Sequence, residues 1–231
     1  MRIQKYISLT GALSRREVNR LIALQRIEID GTIATKNSVV EDESVVLVDG
    51  KELVNKKRGI YLLLYKPVGI TCTAQPTVKN NIIDFLKNPE RVFPVGRLDK
   101  DSEGLILLTN DGDIVNKLMK AEGNHEKEYV VTVDRPIPDQ VLARLGQGVE
   151  ILGQQTKRCK VKRVTSDTFT IVLTQGLNRQ IRRMTKVFGY HVKKLIRIRI
   201  LHLTIDHLEV GEWRELEVRE TEQLKNHLRS K

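Results

Sequence analysis

Val95-Gly96-Arg97-Leu98-Asp99-Lys100-Asp101-Ser102-Glu103-Gly104-Leu105-Ile106-Leu107-Leu108-Thr109-Asn110-Asp111-Gly112-Asp113 sets a carboxylate, Asp99, beside an arginine at a strand end, between apolar runs. Pro94 ahead of it and the β-like run Leu105 to Leu108 behind it argue against flanking helices. If Asp99 is held there inside a basic cleft, an enzyme acting on a polyanion is expected. Two other readings fit the same residues. Asp99-Lys100-Asp101-Ser102-Glu103-Gly104, with Ile106 at the eighth position, follows the first half of an EF-hand calcium loop. The ninth position is Leu107 and the twelfth Asn110, so the closing glutamate is missing. Asp99 could also be a plain turn residue paired with Arg97 or Lys100.

Outward from this segment the chain reads as alternating strands with a few helices. Tyr61 to Tyr65 is a buried-strand candidate ended by Lys66-Pro67-Val68-Gly69. Glu128 to Val133 and Thr168 to Leu173 alternate as half-covered strands do, and Ile198 to Ile205 makes another. No Gly-rich nucleotide fingerprint is present, and the irregular connections do not suit a repeated strand-helix-strand scheme. An α+β fold with a mostly antiparallel sheet is expected.

The N-terminal residues form a smaller module. Ser14 and Glu17 make a Ser-x-x-Glu capping box, and Val18, Leu21 and Ile22 fall on one helical stripe that leaves Arg15, Arg16 and Arg20 exposed. Short β-rich runs follow, Ile27-Glu28-Ile29 and Thr32-Ile33-Ala34 around an Asp30-Gly31 turn, then Ser44 to Val48 closed by Asp49-Gly50. Asn55-Lys56-Lys57-Arg58-Gly59 reads as a linker, which divides the chain into domains 1–56 and 57–231. Fifty-odd residues make a marginal core, so the first is expected to be a docking module and the second the catalytic one.

The net charge of +11 is concentrated in two zones. Between Lys157 and Arg199 stand thirteen Lys or Arg against Asp167 alone, and the first twenty-six residues hold six against Glu17 alone. Two basic zones around a near-neutral middle suit a phosphate backbone as partner. From Asn178 to Phe188 a basic row, Arg179, Arg182, Arg183 and Lys186, interleaves with an apolar one, Ile181, Met184, Val187 and Phe188. Asn178 is a suitable N-cap and Gly189 a suitable stop. An ordinary amphipathic surface helix would show the same pattern.

No stretch approaches a membrane span and the N-terminus lacks a signal peptide's apolar run, so a cytoplasmic protein without membrane contact is expected. Cys72 and Cys159 read as reduced structural thiols. The five histidines (125, 191, 202, 207 and 227) show no ligand spacing, so no metal is expected.

Residues Arg2 to Ile7, Gly11 to Glu17 and Ile29-Asp30-Gly31 resemble the S4 RNA-binding domain, which implies that the basic helix face lies against folded RNA. Further along stand four ordered motifs: Gly96-Arg97-Leu98-Asp99 with Ser102-x-Gly104-Leu105; Thr109-Asn110-x-Gly112; Glu126-Lys127-Glu128-Tyr129; and Gly176-x-Asn178-Arg179-Gln180-Ile181-Arg182-Arg183-Met184. Together they resemble the RNA pseudouridine synthases of the ribosomal small-subunit synthase type. His125 to Tyr129, Asn116-Lys117 and Gly211 to Arg214 are most similar to a branch of that family acting on large-subunit ribosomal RNA.

The resemblance implies the pseudouridine synthase fold, isomerisation of a uridine within RNA, and no cofactor or metal. By the same carry-over Asp99 is the catalytic carboxylate, either nucleophile at C1′ or base at C2′. Either role needs an ionised carboxylate, which a nearby guanidinium favours. Arg182 is the motif arginine expected to pair with it. Arg97 is expected to position the flipped nucleotide or fill its vacated place. Tyr129 matches the aromatic residue that stacks on the flipped base, with Ile181 as an apolar wall beneath it; plain core packing is the alternative for both. Arg179, Arg183, Lys186, Arg15, Arg16 and Arg20 are the remaining candidates for RNA contact.

Few aromatic residues, one Trp and four Phe among them, disfavour long single strands. Structured RNA, first of all 23S ribosomal RNA, is the expected partner of a monomer, with 16S ribosomal RNA or transfer RNA as alternatives. A non-catalytic S4-type ribosome-assembly protein and a glycosidic-bond hydrolase drawing on Asp101 or Glu103 stay open at this point.

Overall fold

The computed structural model describes residues 1–53, 59–88, 90–119 and 123–229. Residues 55–58 of the expected linker, and with them the 56/57 boundary, lie outside the described residues. The chain forms two compact units: 1–60 with 88–92 and 109–112, and the remainder. The first unit thus takes in two short segments that the sequence boundary assigns to the C-terminal part.

In the first unit, helices α1 (Ile3–Leu9) and α2 (Arg15–Ala23) pack over a small sheet of β1 (Ile27–Ile29), β2 (Thr32–Ile33), β3 (Val46–Val48) and β4 (Lys51–Glu52), ordered β2-β1-β3-β4. Ile3, Ile7, Val18, Ile27 and Val46 form its buried centre. Both halves of the α2 capping box are made: the Glu17 N–H donates to Ser14 Oγ at 3.2 Å, and the Ser14 N–H to Glu17 Oε2 at 2.7 Å. The cap fixes where the helix starts, and so which arginines it leaves in solvent.

The second unit runs β5 (Tyr61–Lys66), α3 (Ile82–Leu86), β6 (Phe93–Val95), β7 (Glu103–Thr109), α4 (Gly112–Met119), β8 (Lys127–Val133), α5 (Asp139–Gln147), β9 (Glu150–Ile151), β10 (Gln154–Gln155), β11 (Lys160–Arg163), β12 (Thr168–Leu173), α6 (Gln180–Val187), β13 (Val192–Ile200), β14 (Leu203–Thr204), β15 (Trp213–Glu215) and α7 (Val218–Arg229). Its large sheet has the order β11-β12-β8-β13-β7-β5-β15. The pairings of β8 with β12 and β13, of β11 with β12 and of β15 with β5 are antiparallel, whereas β13 and β7 run parallel. The α+β expectation with a mostly antiparallel sheet agrees with this order.

Along β8, Val131 and Val133 are buried with Phe169, Ile171, Ile181, Met184 and Leu195, and Tyr129 packs against that cluster. A second cluster gathers Leu63, Leu105, Leu107, Leu203 and Leu224.

Three expected element limits differ from the structure. The strand expected from Ile198 to Ile205 is instead the end of β13 and all of β14, joined by a tight turn in which Leu201 has φ 53°. Its uninterrupted apolar content hid the reversal. The helix expected from Asn178 begins at Gln180, with Arg179 as N-cap in a left-handed conformation and no side-chain cap bond. The run expected as a strand from Ser44 is shorter, starting at Val46.

Candidate active site

The polar loop between β6 and β7 is pinned from several sides. The Ser102 N–H closes a turn on the Asp99 carbonyl at 3.1 Å, the Gly69 N–H donates to the Lys100 carbonyl at 2.8 Å, and the Leu98 N–H to Cys72 Sγ at 3.4 Å. Leaving this loop the chain enters β7, not the exiting helix of an EF-hand.

Gly104 explains the tight seam behind the loop. It sits opposite Arg197 of β13 with φ +113°, and a Cβ there would lie 2.4 Å from the Arg197 carbonyl oxygen. Only glycine lets the two backbones approach so closely.

Helix α6 supplies the charged wall. Arg179 donates to both carboxylate oxygens of Asp101, at 2.9 and 2.8 Å, and its Nη1 lies 3.6 Å from Asp99 Oδ2. The left-handed φ of 49° at Arg179 is a conformation costing a non-glycine residue roughly 1 kcal/mol. The forked pair with Asp101 offsets that strain. Arg182, only 14% exposed, donates to the Asp101 carbonyl at 2.8 Å, Ser102 Oγ at 3.2 Å and the Val192 carbonyl at 3.1 Å. Its Nε lies 3.4 Å from Asp101 Oδ2, an ion contact rather than an aligned hydrogen bond.

The two arginines set the electrostatics. The Arg179 hydrogen bonds hold the Asp101 carboxyl below the usual carboxylate range, and Asp101 in turn pushes the Arg179 guanidinium up. Burial, more than any charge, lowers Arg182.

One expected pairing is corrected here. The guanidinium beside Asp99 is that of Arg179, while Arg182 is spent on Asp101 and on the loop backbone. Asp101 engages both arginines, through the fork to Arg179 and the 3.4 Å ion contact to Arg182, and Arg179 alone also comes within 4 Å of Asp99. Asp99, with its side chain 33% exposed, keeps oxygen surface open to a substrate.

Tyr129 is partly buried in the same cluster as Ile181, and its register partners are Ile171 on β12 and Arg197 on β13. Helix α6 therefore joins both halves of the site, since Arg179 and Arg182 reach the carboxylates while Ile181 packs in the cluster that covers Tyr129. The expected basic row on α6 is broken. Arg179 is exposed but outside the helix, Arg182 is largely buried, and within the helix only Arg183 and Lys186 are exposed. Arg183 bonds the Asn178 carbonyl and Oδ1, at 3.0 and 3.2 Å, so Asn178 anchors a side chain instead of capping the helix. Arg97 is exposed, and Arg15, Arg16 and Arg20 are exposed on α2 of the first unit.

Asp101 enters the sequence reading only as a hydrolase's second carboxylate, not as an ionic hub, and Lys66, Lys127 and Arg197 do not enter it as site residues. Lys66 is fully buried on β5, with its ammonium donating to the Pro67 carbonyl at 2.8 Å, and burial lowers its pKa. Arg197 is 2% exposed, and its Nε donates to the Leu105 carbonyl at 2.7 Å. A charged residue at an inward position of an alternating strand is the signal that could have found Lys127 and Arg197.

Residues 60–186 match the family model for RNA pseudouridylate synthases, and residues 1–46 match that of the S4 domain. The chain is 49% identical over 219 residues to the dual-specificity RNA pseudouridine synthase RluF of Escherichia coli, covering 94% of this chain and 75% of the relative. It is 37% identical to the ribosomal large subunit pseudouridine synthase B of Bacillus subtilis, over 97% and 95% of the two chains. A crystal structure of a pseudouridylate synthase superposes with a TM-score of 0.72 at 28% identity, covering 97% of this chain and 99% of the other.

Proposed function

The chain belongs to the RNA pseudouridine synthases and carries an S4 domain at its N-terminus, and from that premise we propose that Asp99 converts one uridine of large-subunit ribosomal RNA to pseudouridine. The target nucleotide leaves its stack, at a cost of a few kcal/mol, and enters the site as a single extruded base. Tyr129 stacks on that base with Ile181 beneath it, and Asp99 faces the sugar. As nucleophile, Asp99 takes C1′ while the base departs with the bonding pair from N1. As base, it takes the C2′ proton and the same bond breaks by elimination. C5 of the turned base then bonds to C1′, displacing the Asp99 carboxylate in the first case and with the proton returning from Asp99 to C2′ in the second. Arg179 keeps Asp99 anionic, and Arg182 acts as a positioning residue through Asp101 and the loop backbone.

The observation that carries this reading is Asp99 itself: a partly exposed carboxylate at the mouth of β7, with one guanidinium at 3.6 Å, on a loop that α6 ties to the Tyr129 cluster. The N-terminal module, over 1–56, docks on folded RNA through Arg15, Arg16 and Arg20. Arg183, Lys186 and Arg97 contribute phosphate contacts. Large-subunit RNA is favoured by the ribosomal large-subunit synthase among the relatives, and the dual specificity in the name of the RluF relatives supports a second RNA substrate. Among the described residues no helix is long and apolar enough to cross a membrane, and the enzyme is proposed to act in the cytoplasm as a monomer.

Ribosomal RNA tritiated at uridine C5 is the test. Tritium release with the RNA chain intact is expected from the wild type and none from Asp99→Asn. Release of free uracil would identify a hydrolase, and absence of both products a binding protein.

A further inference from the structure

On β8, Lys127, Tyr129, Val131 and Val133 share one face of the sheet, because side chains alternate along a strand. Arg197 stands directly across from Tyr129 on β13. This face therefore carries Tyr129 flanked by a lysine along its own strand and an arginine on the neighbouring one. Neither cation has an anionic partner among the described residues. Arg197 spends Nε on a carbonyl and leaves Nη2 buried without an acceptor. Burial, and then the charge of Arg197, lower the Lys127 pKa to about 8. Other charges lie further along. Lys66 and Cys72 feel Arg197 from the β5 side, and Asp99 and Asp101 face Lys66. Leu173, beside Lys127 on β12, is apolar.

Arg197 is buried and Lys127 partly so, and two cations on one face without an acid between them form a place for an anion. We propose that Lys127, with the buried charge of Arg197 behind it, seats the uracil ring after its bond to the sugar breaks, donating to a carbonyl oxygen of the detached base. This rests on the reading above, with Tyr129 as the stacking platform. A two-residue step along a strand is about 7 Å, so the edge of a ring stacked on Tyr129 falls within reach of an extended lysine. Both roles open to Asp99 leave the same intermediate. The N1–C1′ electron pair stays with the ring, and the uracil monoanion spreads its charge over N1, O2 and O4. When C5 bonds to C1′ the ring becomes neutral, and loss of the C5 proton with uptake of one at N1 completes pseudouridine. The anion exists only between these two bond changes, so donors aimed at it favour the transition states over the bound substrate.

Single-turnover pseudouridine formation by Lys127→Met should fall about 10²-fold or more, the usual cost of one preorganised donor, at unchanged RNA affinity and with the fold intact by thermal unfolding. The wild-type rate should decline as pH rises through about 8, where Lys127 loses its proton. Lys127→Arg should recover much of the rate and lose that alkaline limb, since a guanidinium stays charged. A Lys127→Met enzyme with wild-type rate and pH profile overturns the proposal, as does weaker RNA binding at an unchanged single-turnover rate, which would place a phosphate at the seat. Asp99→Ala measured in parallel separates the two claims: if it remains active while Lys127→Met fails, Asp99 loses its role and the seat keeps its own.

Discussion

Replacing Gly104 with alanine should damage this enzyme more than any other one-carbon addition near the site. The new Cβ would stand 2.4 Å from the Arg197 carbonyl oxygen, 2.5 Å from its nitrogen and 2.9 Å from its carbonyl carbon. All three are backbone atoms on a strand paired on both sides, to β7 and to β8, so none can swing aside as a side chain would. The φ of +113° adds strain for any L side chain. A residue held in such a region costs roughly 1–3 kcal/mol, and overpacking a close contact costs about as much again, so the loss is about 4 kcal/mol. For a unit of this size each kcal/mol lowers the melting point by about 2–4 °C, which gives a drop on the order of 10 °C. Thermal unfolding followed by circular dichroism, with urea titration at 25 °C as a check, reads it directly. An alanine variant melting within about 2 °C of wild type would refute the claim that this seam admits only glycine.

Two further outcomes follow from named contacts. Asp101→Asn removes the anion shared by Arg179 and Arg182; with Asp101 about half exposed, its stability cost at pH 7 should stay near or below about 1 kcal/mol. Because the folded-state pKa of Asp101 is depressed, this contribution is present above the ordinary value of 3.8 and is lost as pH falls below it. Melting curves of wild type and variant should therefore converge in acid. Ser14→Ala breaks the α2 capping box and should destabilise the first unit by about 1 kcal/mol, with fluorescence anisotropy showing weaker RNA binding as the helix carrying Arg15, Arg16 and Arg20 frays.

Elements written in local chemistry were legible in the sequence. The Ser14–Glu17 cap, the Thr168–Leu173 strand and the Gly189 stop each depend on residues within a few positions of one another. What could not be read depends on contacts made across the fold. The turn at Leu201 interrupts an apolar run that looks continuous, and nothing short of the sheet register reveals it. Arg179 looked like one member of a helical row because its left-handed turn is sustained by Asp101, a residue from a distant loop. Asp99 and Tyr129 stand out by their motifs, whereas the part Asp101 plays shows only in the convergence of both arginines on it. Lys127 and Arg197 did break the expected alternation of apolar and polar residues, a departure visible in the sequence but open to several explanations.

The buried bond from Arg197 to the Leu105 carbonyl spans 92 positions of chain, and the fork from Arg179 to Asp101 spans 78. Closing loops of that length is entropically unfavourable until the strands between them have paired. During synthesis on the ribosome, the loop bearing Asp99 thus emerges well before the arginines that flank it. A nascent chain that stops short of α6 has the carboxylate but neither the helix beside it nor β13. The site is thus complete only when the last third of the chain has been made.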